Sequence, residues 1–253
     1  MSRESFLLEL VSMKMVTPSV RHLAFKKSDG SKFDFVPGQF ITFHFEADGV
    51  VMQRSYSVAS IPTKTDLIEI AVSPFENGPG TKLLFGLQPG DKVETTGPFG
   101  RLVLRDENPK RYILVATGTG VTPYRAMLPE LLNRIETQGA KVDLLLGVRK
   151  PEDLLYGEDF LEFAKAHPDF CFHSFYSREL PQNPTTDDHL GYVQSHFEKL
   201  NLDPSNDVIY LCGNPEMIDS AFEYLMQQQF STAQVRREKY ISPKKPSLEP
   251  AKV

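Results

Sequence analysis

Tyr112-Ile113-Leu114-Val115-Ala116-Thr117-Gly118-Thr119-Gly120-Val121-Thr122-Pro123 is the stretch on which the reading of this chain turns. Residues 112–116 read as an apolar strand, residues 117–123 as a glycine-containing turn, and the segment from Tyr124 to Thr137 as a helix. The full six-residue glycine fingerprint is absent. In an open parallel sheet, ligands bind outside the carboxyl ends of the strands, and the first such turn most often takes a dinucleotide. Tight helix–strand packing is the other reading of the same glycines.

Downstream the alternation continues. Strands are expected at residues 142–146, 170–175 and 208–212, with helices near 158–166 and 193–200, the pattern of a parallel sheet covered by helices. Upstream, from about Glu9 to Leu104, the chain is a series of short β-branched and aromatic runs broken by turns. Examples are Phe40-Ile41-Thr42-Phe43-His44-Phe45 after Pro37-Gly38, and Lys92-Val93-Glu94-Thr95 after Pro89-Gly90-Asp91. A small antiparallel β-barrel is expected there. The boundary falls between Leu104 and Lys110, giving a barrel over residues 1–105, an α/β parallel-sheet domain over 106–241, and a Pro- and Lys-rich solvated tail over 242–253.

Composition limits the function. Length is 253 residues and 40% are hydrophobic, enough for two packed domains. Formal charge is −5, with 12 Lys/Arg against 11 Asp/Glu in residues 1–105 and 16 against 22 in residues 106–253, so no basic face for nucleic acid is indicated. In residues 1–25 the apolar pattern is broken by Glu4, Glu9, Lys14 and Arg21, which indicates neither a secretion signal nor a membrane span, and a cytoplasmic location is expected. The two cysteines, Cys171 and Cys212, are too few to ligate an iron–sulfur cluster within this sequence, so a one-electron centre is expected on a partner. None of the six histidines shows metal-ligand spacing, and no metal is expected.

Four segments can carry chemistry. In Arg54-Ser55-Tyr56-Ser57, strand alternation puts Arg54 and Tyr56 on one face and the two hydroxyls on the other. A guanidinium can fork onto phosphate, a ring can lie on a heterocycle, and a hydroxyl can bond a ring nitrogen. In Asn77-Gly78-Pro79-Gly80-Thr81, Thr81 is expected to cap a short helix whose amino end suits a pyrophosphate. Gly118-Thr119-Gly120 forms the turn already described. Leu211-Cys212-Gly213-Asn214-Pro215-Glu216-Met217 ends one strand and opens a helix. Singly, these also read as an ordinary strand, a turn, a packing glycine and a core cysteine. Their order and placement together are far more specific.

In that order the motifs resemble the ferredoxin–NADP reductase superfamily over roughly residues 5–240, with Gly97-Pro98-Phe99-Gly100 as a further match. The resemblance implies FAD in the first domain and NADP(H), in preference to NAD(H), in the second. Arg54 would then pair with the FAD pyrophosphate, Tyr56 would pack on the flavin and ribityl chain, Ser57 would approach flavin N5, and Ser55 would belong to the same FAD site. The backbone of Ile70, Ala71 and Val72 would edge the isoalloxazine, and Gly80 and Thr81 the pyrophosphate. Thr119 would stand between flavin and nicotinamide, while Cys212, Gly213, Asn214, Pro215, Glu216 and Met217 receive the nicotinamide half. Ser57 and Cys212 are the implied catalytic pair, and Tyr240 would stack near FAD. The protein's contribution would be orientation and electrostatics rather than an acid–base group.

Ser177-Arg178-Glu179 with Tyr192-Val193-Gln194 is similar to the segments that grip the 2′-phosphate and adenine of NADP in relatives, and Arg149 adds a second cation. Leu190 departs from that pattern, which carries Lys there. The resemblance implies an oxidoreductase, a monomer, that exchanges electrons with a ferredoxin or flavodoxin. The alternatives are an NADH-dependent reductase component of a multicomponent oxygenase or cytochrome system, a free-flavin reductase, and a non-catalytic flavin-bearing subunit.

Overall fold

The computed structural model describes residues 4–76 and 78–240, and in them the chain forms two six-stranded sheets. The tail over 242–253 lies outside the described residues. The first sheet is antiparallel throughout and comprises Phe6–Met15 (β1), Arg21–Lys27 (β2), Phe40–Ala47 (β3), Val50–Ser57 (β4), Ile68–Val72 (β5) and Lys92–Phe99 (β6), in the order β4-β3-β6-β1-β2-β5. Its edges approach where the Ala59 amide donates to the Glu69 carbonyl at 2.7 Å, so the sheet curls into a barrel. Alternate side chains such as Leu8, Leu10, Phe43, Ile70 and Val72 fill its interior.

Between β5 and β6 runs the helix Pro79–Gly86 (α1), and here one expectation is corrected. Gly78, not Thr81, precedes the first turn, with Pro79 at the first helical position, where its missing N–H costs nothing. Thr81 lies inside the helix, and its Oγ1 accepts from the Phe75 amide at 2.9 Å, tying the incoming loop to α1.

The second sheet is parallel throughout. Its strands are Arg111–Thr117 (β7), Lys141–Val148 (β8), Phe170–Tyr176 (β9), Asp188–Leu190 (β10), Asp207–Gly213 (β11) and Val235–Lys239 (β12), in the order β10-β9-β8-β7-β11-β12. Helices Thr122–Gln138 (α2), Gly157–Ala166 (α3) and Pro215–Gln227 (α4) make the crossovers. Residues Val193–Leu200, expected as a helix, form a 3-10 helix, and the short strands β10 and β12 were not anticipated.

Both faces of this sheet are buried: Leu114, Leu144 and Tyr210 point into one core, and Ile113, Val115, Leu145 and Leu211 into the other. The first of these cores continues into the barrel through Val20, Ile61, Ala71 and Leu102, so the two sheets share apolar packing. β7 is central, with β8 on one side and β11 on the other, which places the reversal of strand order at the ends of β7 and β11. No helix among the described residues is long and apolar enough to cross a membrane.

Candidate functional site

The barrel's contribution begins on β4. Tyr56 packs its ring against Phe43, and burial pushes its phenol up to about 12 despite the nearby Arg54 charge. Arg54 and Tyr56 both face α1 at Gly80: a Cβ there would lie 2.9 Å from Arg54 Cγ and 3.2 Å from the Tyr56 hydroxyl. Only glycine lets the helix amino end come this close. The amides of Gly80 and Thr81 precede the first helical hydrogen bond, in which Lys82 N–H donates to Gly78 O, so the helix itself leaves them without acceptors. Arg54 makes no ion pair with a carboxylate among the described residues, and its Nη1 donates to the Gln53 carbonyl at 2.7 Å. A cation beside free helix-start amides is the donor set a pyrophosphate needs. Ser55 turns to the opposite face and pairs with Thr42 at 2.9 Å.

Ser57, at the end of β4, is 5% exposed and reaches the other domain. Its Oγ accepts from the Tyr240 hydroxyl at 2.6 Å and donates to Glu238 Oε1 at 3.3 Å. Glu238 pairs in register with Cys212 across β12 and β11, and the Tyr240 amide donates to the Gly213 carbonyl at 2.8 Å. Burial pushes the Glu238 carboxyl up to about 7, only partly opposed by the Ser57 hydrogen bond. Cys212 is fully buried, and burial with the adjacent Glu238 charge pushes its thiol well up. It is therefore a neutral thiol and no nucleophile at neutral pH.

The glycine turn, residues Gly118–Val121, is a 3-10 turn leading into α2, with Thr119 half-buried. Gly120 presses on the end of β11, since a Cβ there would meet the Cys212 carbonyl and lie 2.7 Å from Gly213 Cα. Asn214 caps α4 by accepting from the amides of Glu216 at 2.8 Å and Met217 at 3.2 Å, and its own amide donates to Thr117 Oγ1. The expected nicotinamide loop is thus braced, and the side chain of Met217 is buried in the core beneath β11.

At the ends of β8 and β9 the Arg178 amide donates to the Arg149 carbonyl and the Ser177 amide to the Val148 carbonyl, both at 3.0 Å. The Gly191 amide, donating to Tyr176 O at 2.9 Å, holds Tyr192 next to them, 67% exposed. Both arginines are exposed and neither makes an ion pair among the described residues. Ile70, Ala71 and Val72 are buried on β5, with side chains in the cores.

Glu238 was missing from the sequence-derived set, and it puts an acid–base group at the cluster. The available signal was its place two residues before Tyr240, whose partner in space is Ser57.

Residues 7–104 match the family described as the oxidoreductase FAD-binding domain, and residues 114–223 the oxidoreductase NAD-binding domain. The chain is 32% identical over 222 residues to ferredoxin–NADP reductase B of Sorangium cellulosum, covering 85% of this chain and 88% of that one. It is 29% identical to the reductase component of propane 2-monooxygenase from Mycolicibacterium smegmatis, covering 90% of this chain but only 65% of the relative's length. Among solved structures, a ferredoxin NADP+ reductase from Neisseria gonorrhoeae superposes with a TM-score of 0.79 at 23% identity, covering 93% of this chain and 98% of that one. The Amycolatopsis cytochrome P450 reductase superposes with a TM-score of 0.81 at 24% identity, covering 93% of this chain and 69% of that one. With both domains matched in order and the first relative covered almost end to end, the chain belongs to the ferredoxin–NADP reductase superfamily of FAD-dependent oxidoreductases.

Proposed function

We propose that the protein passes electrons between NADP(H) and a one-electron carrier of ferredoxin or flavodoxin type, with FAD on residues 1–105 and the coenzyme on residues 106–241. One observation carries the reading: Ser57 of the barrel is hydrogen-bonded to Tyr240 and Glu238 of the sheet domain, beside the reversal of strand order. Bound there, FAD supplies the exchange between an electron pair and single electrons.

The chain's own residues do the rest. Arg54 and the amides of Gly80 and Thr81 bind the pyrophosphate, and Tyr56 orients the flavin. Ser57 Oγ donates to Glu238 Oε1, and the buried setting of that carboxyl holds it near the neutral range where a proton can be both taken up and released at Oε1. Tyr240 fixes the Ser57 hydroxyl. Thr119, Cys212, Gly213, Asn214, Pro215 and Glu216 frame the nicotinamide. Arg149, Ser177 and Arg178 take the 2′-phosphate, and Tyr192 lies on the adenine. The protein works as a monomer in the cytoplasm, and its two cysteines left as thiols, one of them exposed, fit that reducing compartment.

Anaerobic stopped-flow reduction of the FAD-loaded protein tests the reading. NADPH is expected to reduce it faster than NADH, and Arg178→Ala to raise the KM for NADPH about tenfold or more while leaving that for NADH unchanged. Reduction of ferredoxin should follow in a reconstituted mixture. Faster reduction by NADH would favour the second reading, a reductase component of an oxygenase, which the similarity to the Mycolicibacterium protein supports.

A further inference from the structure

Three imidazoles converge on the outer edge of the parallel sheet, away from the cluster around Ser57. His173 and Phe175 are alternate residues of β9 and share a face, and the register pairs Phe175 with His189 of β10, which puts His189 on that face too. The 3-10 helix Val193–Leu200 then lays His196 over them. Ring centroids are 4.4 Å apart for His189 and His196, 5.7 Å for His173 and His196, and 5.9 Å for His173 and His189. One ring nitrogen from each lies within 4.8 Å of the others.

Their polar atoms are poorly served. His173 Nδ1 and His189 Nε2 are buried without a hydrogen-bond partner, an arrangement folded chains avoid unless a ligand or ion completes it. Asp143 Oδ1 lies 3.6 Å from His173 Nε2, so a carboxylate stands behind the ring on the side of that nitrogen, and a cation that takes Nδ1 displaces any proton held there. Asp187 Oδ1, 3.4 Å from Nδ1, adds a carboxylate at the same place.

We propose that His173, His189 and His196 form a binding site for a divalent d-block cation of the zinc class, stapling β10 and the following 3-10 helix to β9. Neutral nitrogen ligands select such ions over calcium or magnesium, which take oxygen. Tetrahedral zinc with Zn–N bonds of about 2.0–2.1 Å sets its ligand nitrogens about 3.3 Å apart, so the three rings draw in from their present spacing of within 4.8 Å. His173 also belongs to a second group with Asp143 and Cys171, and the test separates the two.

The untagged, FAD-loaded chain is equilibrated with zinc against a chromogenic competitor, and bound metal is counted by elemental analysis after dialysis. One zinc per chain and a rise in melting temperature are expected, with the affinity falling at least about tenfold in the double variant His189→Gln/His196→Gln and unchanged in Cys171→Ser. His196→Gln alone should lose most of the affinity, and visible flavin absorbance reports that each variant is folded. The proposal is overturned if the wild type binds no stoichiometric zinc, if His196→Gln binds it as tightly as wild type, or if Cys171→Ser is the variant that loses it. None of these outcomes depends on which coenzyme the protein uses.

Discussion

At Glu238 burial outweighs the Ser57 hydrogen bond, and the carboxyl rises from its usual 4.5 to about 7. The folded chain therefore holds this proton more tightly than the unfolded one. The contribution to stability is complete below about pH 4.5 and is lost as pH rises through 7. Glu238→Gln removes the titration: its melting temperature should lose this pH dependence between pH 5 and 8, and turnover should lose an inflection near 7, checked by thermal melts and a pH–rate profile. Ser57 sits between Glu238 and Tyr240, so Ser57→Ala should slow flavin reduction about a hundredfold with FAD still bound, read by stopped flow and the retained visible spectrum. Unchanged reduction would remove Ser57 from the chemistry. Arg54, Tyr56, Ser57, Gly80 and Cys212 could be singled out in the sequence because each sits in a short motif. Glu238 had only its place two residues before Tyr240 as a signal, because its partner Ser57 lies in another domain.

Among the elements, the ends of β7 and β11 are held together by the absence of side chains. A Cβ on Gly120 would meet the Cys212 carbonyl, which is backbone of a central strand and cannot rotate away. Gly120→Ala should cost about 1–3 kcal/mol, seen as a lowered melting temperature, with the nicotinamide end of the cleft distorted as well. Strands β7, β8, β9 and β11 were legible as apolar runs, and α2 and α3 through their spacing. β10 has three residues, too few to show a period, and β12, Val-Arg-Arg-Glu-Lys, has hardly an apolar residue. Both are strands only because a parallel neighbour supplies the hydrogen bonds. Thr81 misled in the same way: its residue type fits a cap, but Pro79 already starts the helix.

Across the whole molecule the two sheets are locked by Arg125 of α2. Its Nη1 donates to the Ala59 carbonyl at 2.8 Å and to Glu69 Oε2 at 2.7 Å, while Nε donates to Asp159 Oδ2 at 2.6 Å. Burial alone would push Glu69 up, but hydrogen bonds from His22 and Arg125 outweigh it and hold the carboxyl near 2. Stability from this lowered value is present above about pH 4.5 and is lost as pH falls toward 2. Arg125→Met should cost about 2–3 kcal/mol at pH 7 and flatten the acid limb of the stability profile, measured by denaturant unfolding from pH 7 to 3. An unchanged acid limb would show that the clamp does not join the domains energetically. The sequence by itself determined the two architectures and both glycine-bearing turns, because periods of two and 3.6 and turn-forming glycines are local properties of the chain. Only the tertiary structure decided that Ser57 meets Tyr240 across 183 residues, that Glu69 meets Arg125, and that three scattered histidines share one face. Such pairings follow from strand order, parallel register and the docking of one sheet on the other, which no local stretch of residues encodes.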